Sequence, residues 1–171
     1  MDDEVRLRDV DERDLETFYE YEHDREAVER SRFTPREHEA FTTHWRTTVL
    51  GDSAVLVQTV TVGGEVAGNV VSWWEKGRRF VGYWFGRRYW GRGIGTAALT
   101  QYLEKEPIRP LYADPFTGNT GSIRVLEKCG FQSAGTVWYG DDEHVLLVLD
   151  EPAGPAQSTG SRNRSSQAPN A

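Results

Sequence analysis

A glycine-rich stretch, Arg87-Arg88-Tyr89-Trp90-Gly91-Arg92-Gly93-Ile94-Gly95-Thr96, is the part of the sequence with the clearest chemical potential. Glycines at alternate positions let the backbone approach a ligand, and the helical pattern that follows them starts with N–H groups that lack helical partners. These donors and the positive end of the helix dipole favour an anion. The stretch therefore predicts a phosphate cradle surrounded by arginines. The alternative interpretation is a tight strand-to-helix connection whose glycines serve geometry alone.

Two better-known phosphate motifs differ from this stretch at decisive positions. A P-loop needs a lysine between its last glycine and the Ser/Thr, whereas Thr96 follows Gly95 directly. A dinucleotide-binding fingerprint needs a third glycine where Thr96 stands, although Asp114 lies at about the right distance for a ribose-binding acid. The β-rich runs before the stretch also disagree with the parallel crossovers of that fold. A nucleotide-dependent oxidoreductase is therefore the least favoured interpretation.

The elements that would hold this stretch are predicted from periodicity and turn residues. Residues 5–10 alternate as a strand, and Asp11 is placed to cap a first helix. A capping-box pattern at residues 34–37 predicts a second helix that ends at Gly51. The charged stretch at residues 23–33 fits either a loop over a site or a short helix.

The rest of the chain predicts mainly strands. Residues 54–62, 65–75 and 79–85 are separated by glycine turns and predict an antiparallel meander. After the glycine-rich stretch come a helix, a short strand, a second helix and a terminal hairpin of residues 131–139 and 144–149. The predicted fold class is α/β (α+β), a single domain with a mixed, mostly antiparallel twisted sheet of about seven strands and about four flanking helices.

Composition limits the possible functions. The 171 residues suit one domain, and a shift to Pro, Gly, Ser, Asn and Gln predicts a domain at residues 1–150 and a disordered tail at residues 151–171. A net charge of −7 disfavours nucleic acid as a partner and suits a positively charged acceptor. The single cysteine, Cys129, excludes an internal disulfide, and the scattered histidines predict no metal site.

The location of the protein is predicted from signals that the sequence lacks. No apolar run is long enough to cross a bilayer. The first residues, Met1-Asp2-Asp3-Glu4, are acidic where a signal peptide would be basic. We therefore expect a cytoplasmic protein with no membrane partner.

Two separate motifs produce a family resemblance. Arg88-x-x-Gly91-x-Gly93, after a predicted strand, resembles the signature on which the GNAT family of N-acetyltransferases holds the pyrophosphate of acetyl-coenzyme A. Residues 82–96 and 119–131 together resemble the ribosomal-protein-alanine acetyltransferase branch of that family. The resemblance covers residues 5–149, and the predicted order of elements agrees with the family fold.

The resemblance implies how acetyl-coenzyme A would bind as a co-substrate, without a metal. In the family, the pantetheine arm inserts between the fourth and fifth strands, which splay apart. The implied cofactor-binding residues are Trp84, Phe85, Gly86, Arg88, Gly91, Arg92, Gly93, Ile94, Gly95, Thr96, Asn119 and Ser122. The first three would offer backbone groups to the pantetheine, and the glycine-rich stretch would hold the pyrophosphate. Asn119 would bind the pantetheine beside its role as a helix cap.

The implied reaction is direct attack of a neutral amine on the acetyl thioester, which needs a base and an oxyanion donor. Glu75 and Asp114, both at strand ends, are the candidate bases, although each also fits an ordinary solvated acid. A backbone N–H near Phe85 is the candidate oxyanion donor. Glu22 and His23 are further candidates for the acceptor side.

The general acid is where the sequence departs from the family pattern. Leu126 stands where many members have a tyrosine that protonates the leaving sulfur, and Ser122 is the nearest replacement. A thiol with a pKa of about 8.5 leaves readily as a thiolate, so a dedicated acid is dispensable. Cys129 could carry the acetyl group in a ping-pong route, but an apolar helix face favours an inert core residue.

The predicted function is an acetyl-coenzyme A-dependent N-acetyltransferase, an acyltransferase that acts on a protein N-terminus or a small-molecule amine. The alternative is a catalytically silent acyl-coenzyme A-binding module with a regulatory role. The aromatic residues Trp73, Trp74, Tyr83, Trp84 and Trp138 fit an acceptor cleft, a core or a dimer surface, so a homodimer stays open.

Overall fold

A seven-stranded sheet organises the protein, which a computed structural model describes from residue 4 to residue 151. The strands are β1 (Val5–Arg8), β2 (Leu56–Val62), β3 (Glu65–Glu75), β4 (Arg78–Phe85), β5 (Leu111–Ala113), β6 (Gln132–Tyr139) and β7 (Asp142–Leu149). They lie in the order β1-β2-β3-β4-β5-β7-β6; β4 and β5 are parallel and the other neighbours antiparallel. The predicted fold class is confirmed. The predicted tail lies outside the described residues except for Glu151.

The helices of the described chain are α1 (Asp14–Glu22), α2 (Arg25–Ser31), α3 (His38–Thr43), α4 (Ile94–Lys105) and α5 (Thr120–Lys128). α3 continues as a π-helical segment, His44–Val49. The charged stretch that the sequence left open contains α2, because the Asp24 side chain caps this helix by accepting from the Ala27 N–H at 3.1 Å. None of these helices is both long and apolar enough to span a membrane.

Of the two helix caps predicted from the sequence, the one at Thr34 is wrong and the one at Asp11 is present. α3 begins at His38 rather than after Thr34, and Glu37 at its cap position makes no side-chain capping bond. A cap contributes about 1 kcal/mol, less than the burial of the aromatic residues of this helix, which sets where it starts. Asp11 does cap the turn that leads into α1. Its Oδ1 accepts from the Arg13 N–H at 2.8 Å, and its own N–H donates to the buried Asp14 carboxylate at 2.9 Å, which is the reciprocal pattern of a capping box.

Each face of the sheet carries its own apolar core. α4 and α5 cover one face, here the α4 face, whose buried residues include Val60, Val70, Leu99, Tyr102, Leu111 and Leu147. α1 and α3 cover β2 and β3 on the other face, here the α1 face, with the core residues Leu15, Phe18, Phe41, Trp45 and Val49. Successive residues of a strand point to opposite faces, so each strand contributes to both cores.

β4 and β5 pair over a short distance only. Arg79 pairs with Leu111 and Phe80 with Tyr112, whereas β4 continues to Phe85. Beyond the paired segment no strand of residues 4–151 lies beside this edge of β4, so its backbone groups there have no partner in the sheet. This space is called the β4–β5 gap below.

A buried ion pair anchors the paired end of β4. Arg79 Nη2 lies 2.8 Å from Glu106 Oε1, and the two side chains are 4% and 1% exposed. Glu106 also accepts from the Ser72 hydroxyl, whose oxygen lies 2.6 Å from the Tyr102 hydroxyl oxygen. The pair is therefore satisfied by hydrogen bonds as well as by opposite charge.

Glu22, at the end of α1, is a buried carboxyl group without a matching partner. The residue is 9% exposed, and its Oε1 has no hydrogen-bond partner among the described residues. Burial raises the pKa of Glu22 to about 7, although the charge of Arg36 acts in the opposite direction. Between pH 4.5 and 7 the native state therefore holds a proton that the unfolded chain has released.

We expect Arg79→Leu to lower the free energy of unfolding by about 3–5 kcal/mol, because it leaves the Glu106 charge buried without its partner. Urea denaturation measures the change. Arg6→Leu is the matched control in β1, since the Arg6 side chain is 71% exposed and its pair with Glu4 should contribute less than about 1 kcal/mol. Equal losses in the two variants would contradict the role given to the buried pair.

The free energy of unfolding should decrease as the pH rises from 4.5 towards 7, because the native pKa of Glu22 lies above its ordinary value of 4.5. Below pH 4.5 Glu22 is protonated in both states and adds no slope. Glu22→Gln should remove this dependence and stabilise the protein at pH 8, relative to the wild type, by up to about 3 kcal/mol. Urea denaturation at pH 4, 6 and 8, with the exposed Glu29→Gln as control, tests this; an unchanged slope in Glu22→Gln refutes it.

Candidate active site

A cavity of about 570 Å³ occupies the β4–β5 gap. Its walls come from β4, the glycine-rich stretch, the start of α5 and the segment after β5. The predicted residues that line it are Trp84, Phe85, Gly91, Gly93, Ile94, Gly95, Thr96, Asp114, Asn119 and Ser122. Outside its lining lie Glu75, Gly86, Arg88 and Arg92. The fold thus brings most of the predicted residues around one cavity.

The backbone of β4 presents alternate residues to the gap. The Gly86 N–H donates to the Ala67 carbonyl at 2.9 Å, so even-numbered residues of this strand direct their backbone groups to β3. Tyr83 and Phe85 therefore direct theirs to the gap. The Phe85 carbonyl accepts from the Trp90 indole at 3.1 Å, and the alternation directs the Phe85 N–H to the gap, so this group stays the candidate oxyanion donor.

Because of this alternation, not all of the residues predicted to contact the pantetheine can offer it backbone groups. Trp84 and Gly86 use their backbone toward β3, so Trp84 contributes its side chain to the cavity. Gly86 permits close packing, since a Cβ there would lie 2.6 Å from the Tyr21 ring. Tyr83 lines the cavity but was not among the predicted cofactor-binding residues, only in the aromatic set that fits an acceptor cleft, a core or a dimer surface. The two-residue period was visible in the sequence, but only the pairing of β4 with its neighbours shows which residues face the gap.

The glycine-rich stretch provides donors for an anion. Gly91 and Gly93 have φ values of 72° and 78°, which favour glycine, and the space around both is open. α4 starts at Ile94, and the Ala97 N–H donates to the Gly93 carbonyl at 3.1 Å. The N–H groups of residues 94–96 precede this bond and have no acceptor within the helix. Because these residues line the cavity, they fit the pyrophosphate of acetyl-coenzyme A.

Two of the three arginines of the stretch, Arg87 and Arg88, pair with surface acids. Arg87 lies 2.9 Å from Asp24, and Arg88 lies 3.2 Å from Glu65. Arg92 donates to the Arg88 carbonyl at 3.2 Å. Exposed ion pairs are weak and can exchange for a phosphate. The role of Arg88 and Arg92 toward the cofactor stays a prediction.

The start of α5 faces the glycine-rich stretch across the cavity. Asn119 caps this helix, and its Oδ1 accepts from the Ser122 N–H at 3.4 Å. Ser122 Oγ lies 2.9 Å from the Tyr83 hydroxyl oxygen. Gly95 lets α4 and α5 pack closely, since a Cβ there would lie 3.3 Å from the Val125 side chain. Both helix starts are therefore held beside the same space.

Asp114 follows β5 and lines the cavity. The Tyr139 hydroxyl donates to its Oδ2, and His144 Nδ1 donates to its main-chain carbonyl at 2.8 Å. Burial raises the pKa of Asp114, while the Tyr139 hydrogen bond and the nearby His144 act in the opposite direction. A raised pKa makes this carboxylate a stronger base than an ordinary aspartate. Tyr139 and His144 were missed, because only the pairing of β7 with β5 brings them to Asp114.

Glu75 is exposed at the end of β3, outside the lining of the cavity. Its Oε1 accepts from the Trp73 indole N–H at 3.1 Å. Its charge raises the pKa of Asp114, and Trp73 itself lines the cavity. Glu75 is thus a second negative charge beside the candidate base.

Other candidate chemistry lies apart from the cavity lining. Glu22, the last residue of α1, is buried. His23 is exposed, and its Nδ1 lies 2.9 Å from the Tyr19 carbonyl oxygen. Burial raises the pKa of the Cys129 thiol, which disfavours the thiolate that a ping-pong route needs. Within residues 4–151, no group of three or more His, Cys, Asp or Glu side chains is arranged to hold a metal ion.

Comparison with known sequences identifies related proteins. The family model described as an acetyltransferase (GNAT) domain matches residues 4–132. A kanamycin resistance protein of Rhizobium radiobacter is 36% identical over 67 residues, which are 37% of this chain and 62% of that protein. The match therefore spans less than two thirds of this curated relative.

Solved structures share the fold over most of the chain. Aminoglycoside acetyltransferase AAC(6')-Ib in complex with coenzyme A and kanamycin has a TM-score of 0.69 at 28% identity, covering 88% of this chain and 96% of that chain. Spermidine N-acetyltransferase from Vibrio cholerae, in complex with coenzyme A and spermine, has a TM-score of 0.74 at 13% identity, covering 87% and 96%. The second likeness concerns the fold alone.

The family match, the fold and the cavity agree with one another. Coenzyme A is bound in the solved neighbours, and acetyl-coenzyme A is the co-substrate that the glycine-rich stretch predicted. The prediction of an N-acetyltransferase is confirmed at the level of the family. The chain belongs to the acetyltransferase (GNAT) domain family.

Proposed function

We propose that the protein transfers the acetyl group of acetyl-coenzyme A to a primary amine of a polycationic small molecule, with aminoglycosides as the leading class. The observation that carries this proposal is the Asp114 carboxylate, which lines the same cavity as the anion-binding start of α4. A negative group for the amine and N–H donors for the cofactor thus share one space. Similarity to a kanamycin resistance protein and to a kanamycin-bound acetyltransferase supports this acceptor class.

In this proposal the donor lies along the β4–β5 gap. The N–H groups of residues 94–96 hold the pyrophosphate, and the arginines at the rim add positive charge. The backbone of Tyr83 and Phe85 meets the pantetheine as it would meet an added strand. The Asn119 amide donates to the pantetheine while its Oδ1 caps α5.

The acceptor amine then attacks the thioester carbon directly. A C–N bond forms, Asp114 takes the amine proton, and the Phe85 N–H stabilises the oxyanion of the tetrahedral intermediate. Collapse of this intermediate breaks the C–S bond, whose electron pair leaves on sulfur. The raised pKa of Asp114 suits it to this proton transfer, because it makes the carboxylate a stronger base.

The charges beside the cavity favour an acceptor with more than one ammonium group. The charge of Glu75 is close enough to Asp114 to raise the pKa of Asp114. The Trp73 indole N–H donates a hydrogen bond to the Glu75 carboxylate. We assign Glu75 to acceptor binding, since it lies outside the cavity lining. Trp73 offers an aromatic face to a second ammonium, and the net charge of −7 attracts cations at longer range.

Two alternatives use the same cavity. The resemblance of residues 82–96 and 119–131 to ribosomal-protein-alanine acetyltransferases favours a protein N-terminal amine as acceptor. Leu126, where the family pattern has a hydroxyl, favours a catalytically silent module that only binds acyl-coenzyme A. A cytoplasmic location, a homodimer, and a domain at 1–150 followed by a tail stay predictions from the sequence.

Calorimetry with acetyl-coenzyme A, followed by a thiol-release assay, tests the proposed function. We expect saturable binding and turnover with kanamycin and spermine. Gly91→Glu should weaken binding about tenfold or more, because it adds a negative side chain at a positive φ beside the phosphates. Turnover only with a peptide N-terminus would support the first alternative, and binding without turnover the second. Absence of binding would overturn the proposal.

We expect Asp114→Asn to lower kcat/KM about 100-fold, because it removes the base. In the wild type, kcat/KM should fall with decreasing pH at a value above the ordinary aspartate pKa of about 3.9, since the carboxylate must be ionised to act. Tyr139→Phe should move this fall to higher pH, because the hydrogen bond that it removes lowers the pKa of Asp114. Steady-state kinetics from pH 5 to 9 measure both effects.

The exposed Asp141→Asn, in the turn between β6 and β7, is the matched control and should leave the pH profile unchanged. An Asp114→Asn variant with wild-type kcat/KM would remove Asp114 from the mechanism.

A further inference from the structure

Arg32 places a positive charge at the edge of the cavity. Its guanidinium carbon lies 4.8 Å from the centroid of the Phe116 ring, and its Nε lies 3.9 Å from Asp142 Oδ1. Phe116 lines the cavity, as Asp114 does, and Asp142 is the first residue of β7. An aromatic face and a carboxylate therefore hold one cation beside the space proposed for the acceptor.

The backbone at the end of α2 positions Arg32. This residue ends the helix with a φ of 57°, in the left-handed region that few residues other than glycine adopt. The next side chain, Phe33, packs on Trp84 with 5.0 Å between the ring centroids. Trp84 and Phe116 both line the cavity. The turn at residues 32–33 thus spans the edge of the cavity from β4 to Phe116.

The pairing with β7 fixes the Phe116 ring that faces Arg32. Phe116 forms an isolated antiparallel bridge with His144, and the two ring centroids are 5.7 Å apart. The backbone groups of the residues before and after Phe116 are also hydrogen-bonded to β7, at 2.9 and 3.0 Å. The ring should therefore keep its place when the cation over it is exchanged.

The contacts of Arg32 are weak enough to exchange. Its side chain is 53% exposed, and the 3.9 Å that separates Nε from the Asp142 carboxylate exceeds the length of a hydrogen bond. Exposed ion pairs and exposed cation–π contacts both contribute little free energy. An ammonium group carries the same charge, is more compact than a guanidinium and can donate to Asp142 directly.

We propose that Phe116 and Asp142 form a subsite for a further ammonium group of the acceptor, and that Arg32 occupies it until the acceptor displaces it. This proposal rests on the proposed function, whose acceptor is a polycation. Phe116 follows Asp114 by two residues, so their Cα atoms are at most about 7 Å apart. One molecule can therefore present its reacting amine to Asp114 and another ammonium to Phe116. Arg32 is then a specificity-determining residue, since a polycation has to compete with it.

A tether is the other role that these contacts permit. Arg32 would then only hold α2 against β7, and its loss would loosen a wall to which α2 contributes Ala27, Arg30 and Ser31. The two roles predict opposite signs. Without Arg32, the affinity for a polycation decreases if Arg32 is a tether and increases if it is a competing cation.

Calorimetric titration of kanamycin and of spermine into the protein saturated with coenzyme A measures this sign without turnover. We expect Arg32→Ala to bind both about three- to tenfold more tightly than the wild type, because no cation has to be displaced. Arg32→Lys restores a cation and should stay within about twofold of the wild type. Adding Phe116→Leu to Arg32→Ala should remove most of the gain, since the aromatic face is lost.

Arg25→Ala is the matched control for long-range attraction. Arg25, the first residue of α2, is exposed and lies outside the cavity lining, and its loss changes the net charge as much as the loss of Arg32. The affinity of this variant for both polycations should change less than about twofold. Arg32→Gly suits the left-handed backbone and replaces Arg32→Ala if circular dichroism shows that the alanine variant folds poorly.

Steady-state kinetics, followed by thiol release, supply the second readout. The KM for spermine should decrease about three- to tenfold in Arg32→Ala with kcat unchanged, because the substrate and the transition state gain equally from the vacated subsite. Butylamine has only its reacting amine, so its KM should stay as in the wild type.

Equal or weaker binding of both polycations by Arg32→Ala would overturn the proposal, and so would an equal gain in Arg25→Ala. Turnover of kanamycin or spermine without the gain in affinity would leave the proposed function standing and remove the subsite. A gain in affinity without turnover of any amine would support the subsite and refute the proposed function.

Discussion

The early divergence of β4 from β5 is the constraint on which the rest of the site depends. The two strands share the partners Arg79 with Leu111 and Phe80 with Tyr112, and beyond them β4 keeps an unpaired edge. An unpaired strand edge carries backbone groups that must find another partner, and a ligand with amides of its own can provide one. The glycine-rich stretch follows β4 and Asp114 follows β5. The divergence therefore sets the distance between the cofactor cradle and the candidate base.

The polar groups of the candidate site are distributed over the two faces of the sheet. Asp114, with Tyr139 and His144, lies on the side of the α1 face, and the Tyr83–Ser122 pair lies on the α4 face. Strand alternation enforces this division, because neighbouring residues of one strand point in opposite directions. In the proposed reaction, the amine therefore meets the thioester from the side of the α1 face.

The buried charged groups of the protein differ in whether they have a partner. Arg79 and Glu106, beside the paired end of β4, satisfy each other and hold the strand where the gap begins. Glu22 has a carboxylate oxygen without a partner, and its burial raises its pKa instead. In the first arrangement opposite charges and hydrogen bonds satisfy both buried groups, whereas burial without such a partner favours the neutral form of Glu22.

Local sequence determined the elements and the cofactor cradle. Strand alternation, glycine turns and the spacing of Gly91 and Gly93 depend on neighbours in the chain, so the meander, α4 and its open N–H groups could be predicted. Helix starts were less certain, because a cap contributes less free energy than the burial of an aromatic side chain. The start of α3 at His38 shows this.

Only the tertiary structure decided which groups surround Asp114 and Ser122. Tyr139 and His144 reach Asp114 through the pairing of β7 with β5, and Tyr83 reaches Ser122 across the β4–β5 gap. Register between distant strands is set by packing of the whole core, and a shift of one residue would turn each side chain to the other face. The sequence by itself therefore determined the type of donor substrate, and the fold decided the surroundings of the candidate base Asp114 and of Ser122.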